Sequence, residues 1–210
     1  MKYLVFAFFA TCMATDVSAH PHSWITLETT AIINDKSEVT ALKQRWTFDQ
    51  YYTEFVLHDF MPEVGKNPTP EALKKLALEN LKNLKAYDFF TTIEAGTTKA
   101  KFGAVSGVRS VLYKGQITME FMLPLEQPLD AKNNKVKYRV FDPSYYVEML
   151  HDKLSYVHIE NAGTSSCTTT LEQPKPDMTQ TTLAASLDKQ ATAPANLGES
   201  FAQTVTVSCL

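Results

Sequence analysis

The sequence predicts an α+β protein that is mainly antiparallel β-structure, sandwich-like, with a helical insert near residues 49–87 and a short helix near residues 179–190. Many short runs alternate apolar and polar residues and are separated by turn residues, which is typical of half-buried antiparallel strands. One longer segment instead has apolar residues at helical spacing. Because each alternating strand buries one face, we expect the strands to pack as sheets around a shared core.

A β-hairpin is predicted near the start of the domain. Residues 24–33 and 39–48 alternate in polarity, and Asn34-Asp35-Lys36 between them is typical of a turn. Residues 49–60 then have apolar side chains at a spacing closer to that of a helix. The segment 61–69 contains two prolines and a glycine, so it interrupts the helical pattern.

The most regular helix is predicted to follow Thr69. Thr69 can cap the N-terminus, Pro70 suits the first helical position, and Glu71 complements the helix dipole. The apolar residues Leu73, Leu76, Ala77, Leu81 and Leu84 form one stripe opposite Lys74, Lys75, Lys82 and Lys85. We interpret this stripe as part of the core rather than as a cofactor-binding surface.

The remainder of the chain returns to short alternating runs separated by turn signals. The predicted strands cover residues 89–94, 99–102, 108–113, 116–123, 136–141, 156–160, 168–171 and 205–209. Pro174 and Pro176 precede the short helix near residues 179–190.

Residues 1–19 are interpreted as a secretory signal peptide, which leaves residues 20–210 as a single exported domain. Lys2 precedes an apolar run that is too short to span a bilayer. The sequence Val17-Ser18-Ala19 then has small residues at the positions that a signal peptidase requires. A buried N-terminal element is the alternative, but Asp16 and Ser18 continue no periodic pattern.

Composition excludes several classes of function. The net charge is −3 and basic and acidic residues are interspersed, so the chain has no nucleic-acid-binding footprint. No second stretch is long and apolar enough for stable membrane insertion. The sequence also contains no HExxH, GxSxG, GxGxxG or Walker motif, so the enzyme classes that these motifs mark are not predicted.

A disulfide is predicted between Cys167 and Cys209, the two cysteines outside the signal peptide. An even number of cysteines in an exported chain favours this bond. It would close a loop of about 40 residues and stabilise the fold by roughly 4 kcal/mol. The alternative is a pair of zinc-bound thiolates, which is weaker because neither cysteine has a CxxC partner.

The sequence His20-Pro21-His22 is the main candidate metal site. In an extended chain, residues two apart face the same side about 6.6 Å apart, so both imidazoles can bind one ion. Cleavage after Ala19 would add the α-amino group of His20. Imidazole ligands suit zinc, copper and nickel, and Pro21 lacks the amide proton that a planar copper or nickel site must lose, so zinc is the simplest occupant. The alternative is a solvated terminus with two incidental histidines.

More distant residues are needed to complete such a site. His58 is the best candidate, and Asp49 and Asp142 are further candidates for ligands. His58 could instead lie on a helix surface, and Asp142 could instead cap an Asp-Pro turn. His151 and His158 lie in a strand-rich stretch, so we interpret them as hydrogen-bonded, partly buried histidines rather than as ligands.

Five motifs together support a family resemblance. They are HPHSWI after the signal peptide, QRWTFDQYYT at 44–53, LPL at 123–125, FDPSYYV at 141–147 and LGESFAQTVTVSC at 197–209. In this order and spacing the chain resembles the bacterial periplasmic domain-of-unknown-function proteins of the ZevA type, known as periplasmic components of an uncharacterised ABC-type transport system. Many of those proteins have an EF-hand-like loop, of which only Asp59 and Glu63 remain here, so calcium binding is not carried over.

The resemblance implies an accessory to transition-metal transport, most often zinc, that acts with an inner-membrane permease of the nickel/cobalt-transporter type. The HPH of the family matches His20 and His22, and two of its aspartates match Asp49 and Asp142. We therefore expect a non-enzymatic, periplasmic zinc-binding protein. The alternatives are an exported enzyme in which the N-terminal histidine forms a copper brace, and a structural β-domain without a metal.

Overall fold

Two β-sheets that share one apolar core form most of the protein. The computed structural model describes residues 20–60, 67–161, 163, 166–187, 193–194 and 196–210, so the predicted signal peptide lies outside the described residues. The strands are β1 Ser23–Ile33, β2 Glu38–Phe48, β3 Thr91–Ala95, β4 Thr98–Lys99, β5 Ser106–Tyr113, β6 Gln116–Asp130, β7 Val136–Val140, β8 Val147–Leu150, β9 Val157–Asn161, β10 Cys167–Glu172 and β11 Thr204–Cys209. The predicted α+β class is confirmed.

The helices lie where the sequence predicts them. The insert contains α1, Gln50–Phe55, which continues as a π-helical turn over Val56–Phe60, and α2, Pro70–Leu84, which continues as a tighter 3-10 segment over Lys85–Phe90. The short third helix, α3, covers Met178–Ser186, and residues 188–190 of its predicted range lie outside the described residues. Short 3-10 helices cover Leu154–Tyr156 and Leu197–Phe201. Within the described ranges, no helix has both the length and the apolar character that a membrane crossing requires.

The two sheets differ in strand direction. One sheet has the order β10-β11-β7-β3-β4, and all its pairs are antiparallel. The other has the order β5-β6-β2-β1-β8, and β9 pairs with the same edge of β1 as β8 does. Both β8 and β9 run parallel to β1, so this sheet is mixed. Alternating polarity reveals which face of a strand is buried but not the direction of its neighbour.

Three strand predictions need correction. The strand predicted for residues 89–94 begins at Thr91, because Asp88, Phe89 and Phe90 have φ values of 50°, 55° and 56°, in the left-handed region. The run predicted for residues 99–102 contains only Lys99, the second residue of β4, and an isolated bridge from Phe102 to Leu125. Strand β8 was not predicted because four residues carry too little alternation to be recognised.

The core is formed by one face of each sheet and by the apolar stripe of α2. Every second side chain of β1 is buried, and Trp46 on β2 packs edge-to-face on Phe121 of β6 with ring centroids 5.3 Å apart. Gln44 is also buried, where its amide donates to Thr91 Oγ1 and accepts from Trp46 Nε1. Both polar ends of this side chain are therefore satisfied, as burial requires.

The predicted disulfide between Cys167 and Cys209 is confirmed, and it joins β10 to β11. The two cysteines are direct partners in the antiparallel register, with Cα atoms 4.1 Å apart. The bond closes a loop with a sequence separation of 42 residues. It thereby ties the last strand of the chain to its neighbour at the edge of the sheet.

We predict that reduction of this disulfide lowers the free energy of unfolding by about 4 kcal/mol, because the unfolded chain gains the entropy that the closed loop removes. Urea unfolding of the protein with and without reductant measures the difference. A Cys167→Ser/Cys209→Ser variant is the control and should be as unstable as the reduced protein and insensitive to reductant. Two thiols that react in the unfolded, unreduced protein would contradict the bond itself.

Candidate functional site

His20 and His22 lie against each other at the start of β1. Their ring centroids are 4.6 Å apart and the rings meet edge-on, and the His20–Pro21 peptide bond is cis. His20 is 8% exposed, and its Nδ1 atom is buried without a hydrogen-bond partner among the described residues. The two imidazoles lie together, but the backbone bends at both histidines instead of being extended as predicted, and the binding of one ion by the pair stays a prediction.

Tyr146 is the third member of this cluster, and the sequence reasoning did not identify it. Its ring centroid lies 4.9 Å from that of His22 and 5.7 Å from that of His20. Its carbonyl oxygen accepts a hydrogen bond from the His22 backbone N–H at 2.9 Å. The aromatic pair in FDPSYYV was the only available signal, because nothing in the spacing links residue 146 to residue 22.

Asp142 fixes the turn that presents Tyr146. Its buried carboxylate accepts hydrogen bonds from Ser144 N at 2.9 Å, from Ser144 Oγ at 2.8 Å and from Val147 N at 3.0 Å. Its carbonyl oxygen accepts from Tyr145 N at 2.9 Å. These bonds make Asp142 the capping residue of an Asp-Pro turn, which was the alternative to metal ligation.

The 3-10 helix Leu197–Phe201 supports this turn from behind. Gly198 N donates to the Pro143 carbonyl at 3.0 Å, and a Cβ at position 198 would overlap the carbonyl oxygen of Asp142. Tyr145 has a left-handed backbone, with φ of 57°, and stacks on Phe201 with ring centroids 3.9 Å apart. Only glycine fits at position 198, so the two segments lie in direct backbone contact.

Asp49 ties β1 to the helical insert. Its carboxylate accepts from Ser23 Oγ at 2.7 Å, from Trp24 N at 2.9 Å and from Tyr52 N at 2.8 Å, and it caps α1. Partial burial alone would raise the pKa of Asp49, but the hydrogen bonds from Trp24, Tyr52 and Ser23 outweigh that effect and lower the pKa. The ionised carboxylate therefore holds the start of β1 to the N-terminus of α1.

His58 lies on the π-helical turn Val56–Phe60 and forms no metal-binding cluster with His20 and His22 among the described residues. Its side chain is 89% exposed, and Nδ1 contacts Asp59 Oδ1 at 2.7 Å. Among the described residues, no group of three or more His, Cys, Asp or Glu side chains is arranged to hold a metal ion. The ligand assignments of His58, Asp49 and Asp142 stay predictions, whereas the fold brings His20 and His22 together.

The remaining two histidines have different surroundings. His158 is partly exposed on β9, where Nε2 lies 3.0 Å from Glu28 Oε1. His151 is 3% exposed and lies within a hydrogen-bond network between the sheets. Its Nε2 lies 2.8 Å from Thr29 Oγ1, its Nδ1 lies 3.1 Å from Gln203 Oε1, and Thr29 Oγ1 lies 2.7 Å from the Tyr138 hydroxyl.

The acceptors in this network determine where the protons lie. Gln203 Oε1 can only accept, so His151 Nδ1 carries the proton and Nε2 is the acceptor. Thr29 must then donate to His151 Nε2 and accept from the Tyr138 hydroxyl. A second proton on His151 would make Nε2 a donor, so Thr29 could no longer donate to it and the Thr29 hydroxyl proton would lose its acceptor. Burial lowers the pKa of His151 to about 4, against smaller opposing effects of Gln203 and Asp152.

We predict that His151 makes the protein less stable in acid. Its pKa is 6.5 in the unfolded chain and about 4 in the fold, so the unfolded state binds more protons between these values. Stability is therefore lost as the pH falls from about 6.5 to 4, by about 3 kcal/mol for this group. Urea unfolding across that range measures the loss.

The matched variants are His151→Gln, which cannot titrate, and His158→Gln, which removes an exposed histidine. His151→Gln should be less stable than the parent at pH 7, and the difference should shrink towards pH 4. His158→Gln should follow the parent at every pH. A constant difference between the parent and His151→Gln would contradict the prediction.

We also predict that Asp142→Ala lowers the free energy of unfolding by about 2–3 kcal/mol, because partly buried donors of Ser144 and Val147 lose their acceptor. Asp142→Asn keeps one acceptor oxygen and should have an intermediate effect. Urea unfolding gives both values. A loss below about 0.5 kcal/mol for Asp142→Ala would contradict the capping role, and a specific loss of zinc affinity in Asp142→Asn would support ligation.

Comparison with known proteins agrees with the resemblance at the level of a family. Residues 5–209 match the family described as Protein of unknown function (DUF1007). An uncharacterized protein of Haemophilus influenzae is 29% identical over 197 residues, which cover 92% of each chain. An uncharacterized 15.5 kDa protein from the trpE 3' region of Spirochaeta aurantia is 30% identical over 71 residues, or 34% of this chain and 50% of that protein. Because the family match spans nearly the whole chain, the protein belongs to the DUF1007 family.

Proposed function

We propose that the protein is a periplasmic accessory that binds a transition-metal ion, most readily zinc, and works with an inner-membrane metal permease of the nickel/cobalt-transporter type. The observation that carries this proposal is the His20 Nδ1 atom, which is buried beside the His22 ring and accepts or donates no hydrogen bond among the described residues. The ion is the cargo of the protein rather than a permanent cofactor.

The energetic argument starts from that nitrogen. A buried polar atom without a partner costs about 1–3 kcal/mol relative to one that is satisfied. A metal ion bound to Nδ1 would remove this cost, because the nitrogen would then have a partner. A fold that needed His20 only for packing could use an apolar ring of similar size without this cost.

The type of ligand limits the choice of ion. Two imidazoles favour zinc, copper or nickel, and the part of the chain that the structure describes adds no carboxylate cluster that would favour calcium or magnesium. His20 and His22 would supply two ligands, and water or the acceptor protein would supply the others. Open positions of this kind allow incoming ligands to bind before the first ones leave, which suits transfer of the ion to another protein.

The backbone nitrogen of His20 bears on the copper-brace hypothesis. The His20 nitrogen donates to the carbonyl oxygen of Ala184 on α3 at 3.2 Å. A brace requires that nitrogen to bind the metal together with the ring of the same residue. An amine formed by cleavage after Ala19 could donate one N–H to Ala184 and bind an ion through its lone pair, so the copper brace stays the alternative to the imidazole pair.

Two further observations are consistent with a periplasmic location. The bond between Cys167 and Cys209 is typical of a protein that folds in an oxidising compartment. The sequence motifs resemble those of the ZevA type, whose members are associated with metal transport.

We predict that His20→Phe weakens zinc binding without lowering the stability of the metal-free protein. Phenylalanine replaces the ring without the buried nitrogen, so the metal-free variant should be as stable as the parent or more stable. Its zinc affinity should fall at least tenfold, which corresponds to about 1.4 kcal/mol. Urea unfolding in chelator and zinc titration calorimetry on signal-free protein measure the two quantities.

The controls are His22→Gln, which should also weaken zinc binding, and His158→Gln, which should not. His58→Gln tests the third predicted ligand separately. If His20→Phe and His22→Gln both bind zinc as tightly as the parent, the proposed site is wrong. If the parent binds no zinc, copper or nickel, the metal-free structural domain becomes the better interpretation.

A further inference from the structure

A second concave site lies away from the histidines, between α2 and the segment from residue 102 to β5. It is a groove of about 470 Å³, within the range of small-molecule sites. Its floor and walls are apolar and include Leu81, Phe89, Phe102, Val105 and Val108. Leu78, on its rim, is 48% exposed although it is a large apolar residue.

Positive charge lies at one side of this groove. Lys82 and Lys85 both line it, and they are three residues apart, so their side chains leave the helix on the same face. Glu126 lines the opposite wall on β6. An apolar floor with two ammonium groups on one rim is complementary to a molecule that has an alkyl chain and a single anionic head.

We propose that this groove binds a free fatty carboxylate, with the alkyl chain on the apolar floor and the carboxylate at Lys82 and Lys85. The proposal does not depend on metal binding, because the groove and the histidine pair have no residue in common. The carboxylate oxygens would accept hydrogen bonds from the two ammonium groups. The Glu126 carboxylate would repel the anionic head, so the head would bind on the α2 side of the groove.

The wall of the groove is fixed before a ligand arrives. Phe89 has a left-handed backbone, with φ of 55°, between two residues that are also left-handed. Its carbonyl accepts from Thr91 Oγ1 at 2.9 Å, and the Phe90 carbonyl accepts from Phe141 N at 2.8 Å. Three consecutive residues of this kind are unfavourable without support, and such backbone is concentrated at binding sites.

The smaller cavity beside α1 lacks these features. It has a volume of about 210 Å³ and no charged side chain in its lining. Of its polar groups, Ser23 already donates to Asp49. It offers a ligand apolar contact but no charge that would orient it, whereas the groove at Lys82 and Lys85 offers both.

The test is a ligand-detected NMR titration of the signal-free protein with octanoate, 1-octanol and octylammonium, which share one chain length and differ in the charge of the head. Octanoate should bind saturably and most tightly. Lys82→Gln/Lys85→Gln should weaken octanoate about fivefold and leave 1-octanol within about twofold, since two exposed ion pairs are lost. Ala104→Phe, which fills the groove from its rim, should weaken both.

The matched control is Lys74→Gln/Lys75→Gln, which removes two exposed lysines about two turns earlier on the same helix and outside the groove. It should leave octanoate binding unchanged, and Glu126→Gln should strengthen it. The proposal is overturned if octanoate does not saturate, if both lysine variants weaken it equally, or if Ala104→Phe has no effect. If the protein sediments with anionic vesicles but does not bind octanoate, the proposal is also overturned, and a membrane surface becomes the better interpretation of the groove.

Discussion

The fold depends on the hydrogen bonding of β1 along both of its edges. One edge pairs with β2 from Ile25 to Ile33, and the other is shared by β8 and β9, which run parallel to it. A buried strand with an open edge would leave backbone groups unsatisfied. One short strand cannot cover the whole second edge of β1. Strand β8 therefore pairs with its first part and β9 with its last part, and the chain between β8 and β9 leaves the sheet and returns to it.

The break between β8 and β9 is where the two sheets are joined. At His151 the chain leaves β1, and the Gln203 side chain takes over the function of a strand: its Oε1 accepts from His151 N, and its Nε2 donates to His151 O. Gln203 Nε2 also donates to Gln173 Oε1. A side-chain amide thus supplies the donor and the acceptor that a neighbouring peptide would have supplied.

The sequence predicted those features that depend on local pattern. The hairpin, the cap of α2 at Thr69 and the pairing of Cys167 with Cys209 each follow from neighbouring residues or from a count of two. The parallel strands, the network around His151 and the contact of Tyr146 with the histidines could not be predicted. They depend on contacts between residues that are about 50 to more than 120 positions apart, for which a single sequence carries no pattern.

The candidate site illustrates the same division. The closeness of His20 and His22 in the sequence made their contact predictable, but it could not show the bent backbone at both residues, the burial of His20 or the contact of α3 with the His20 backbone. Asp49 and Asp142 were predicted as further ligands because they match two aspartates of the family that the chain resembles. In the fold each carboxylate already accepts several hydrogen bonds, because aspartate is also the residue that best caps a helix or a turn.

Gly198 makes the histidine site recognisable in other sequences. A side chain at this position would overlap the Asp142 carbonyl, so the turn that carries Tyr146 can take this form only where glycine follows it in the last part of the chain. The HPH motif alone is short enough to occur by chance. A chain that has HPH and DPSYY but a larger residue at the position of Gly198 would hold its tyrosine elsewhere, and its two histidines would lack that aromatic neighbour.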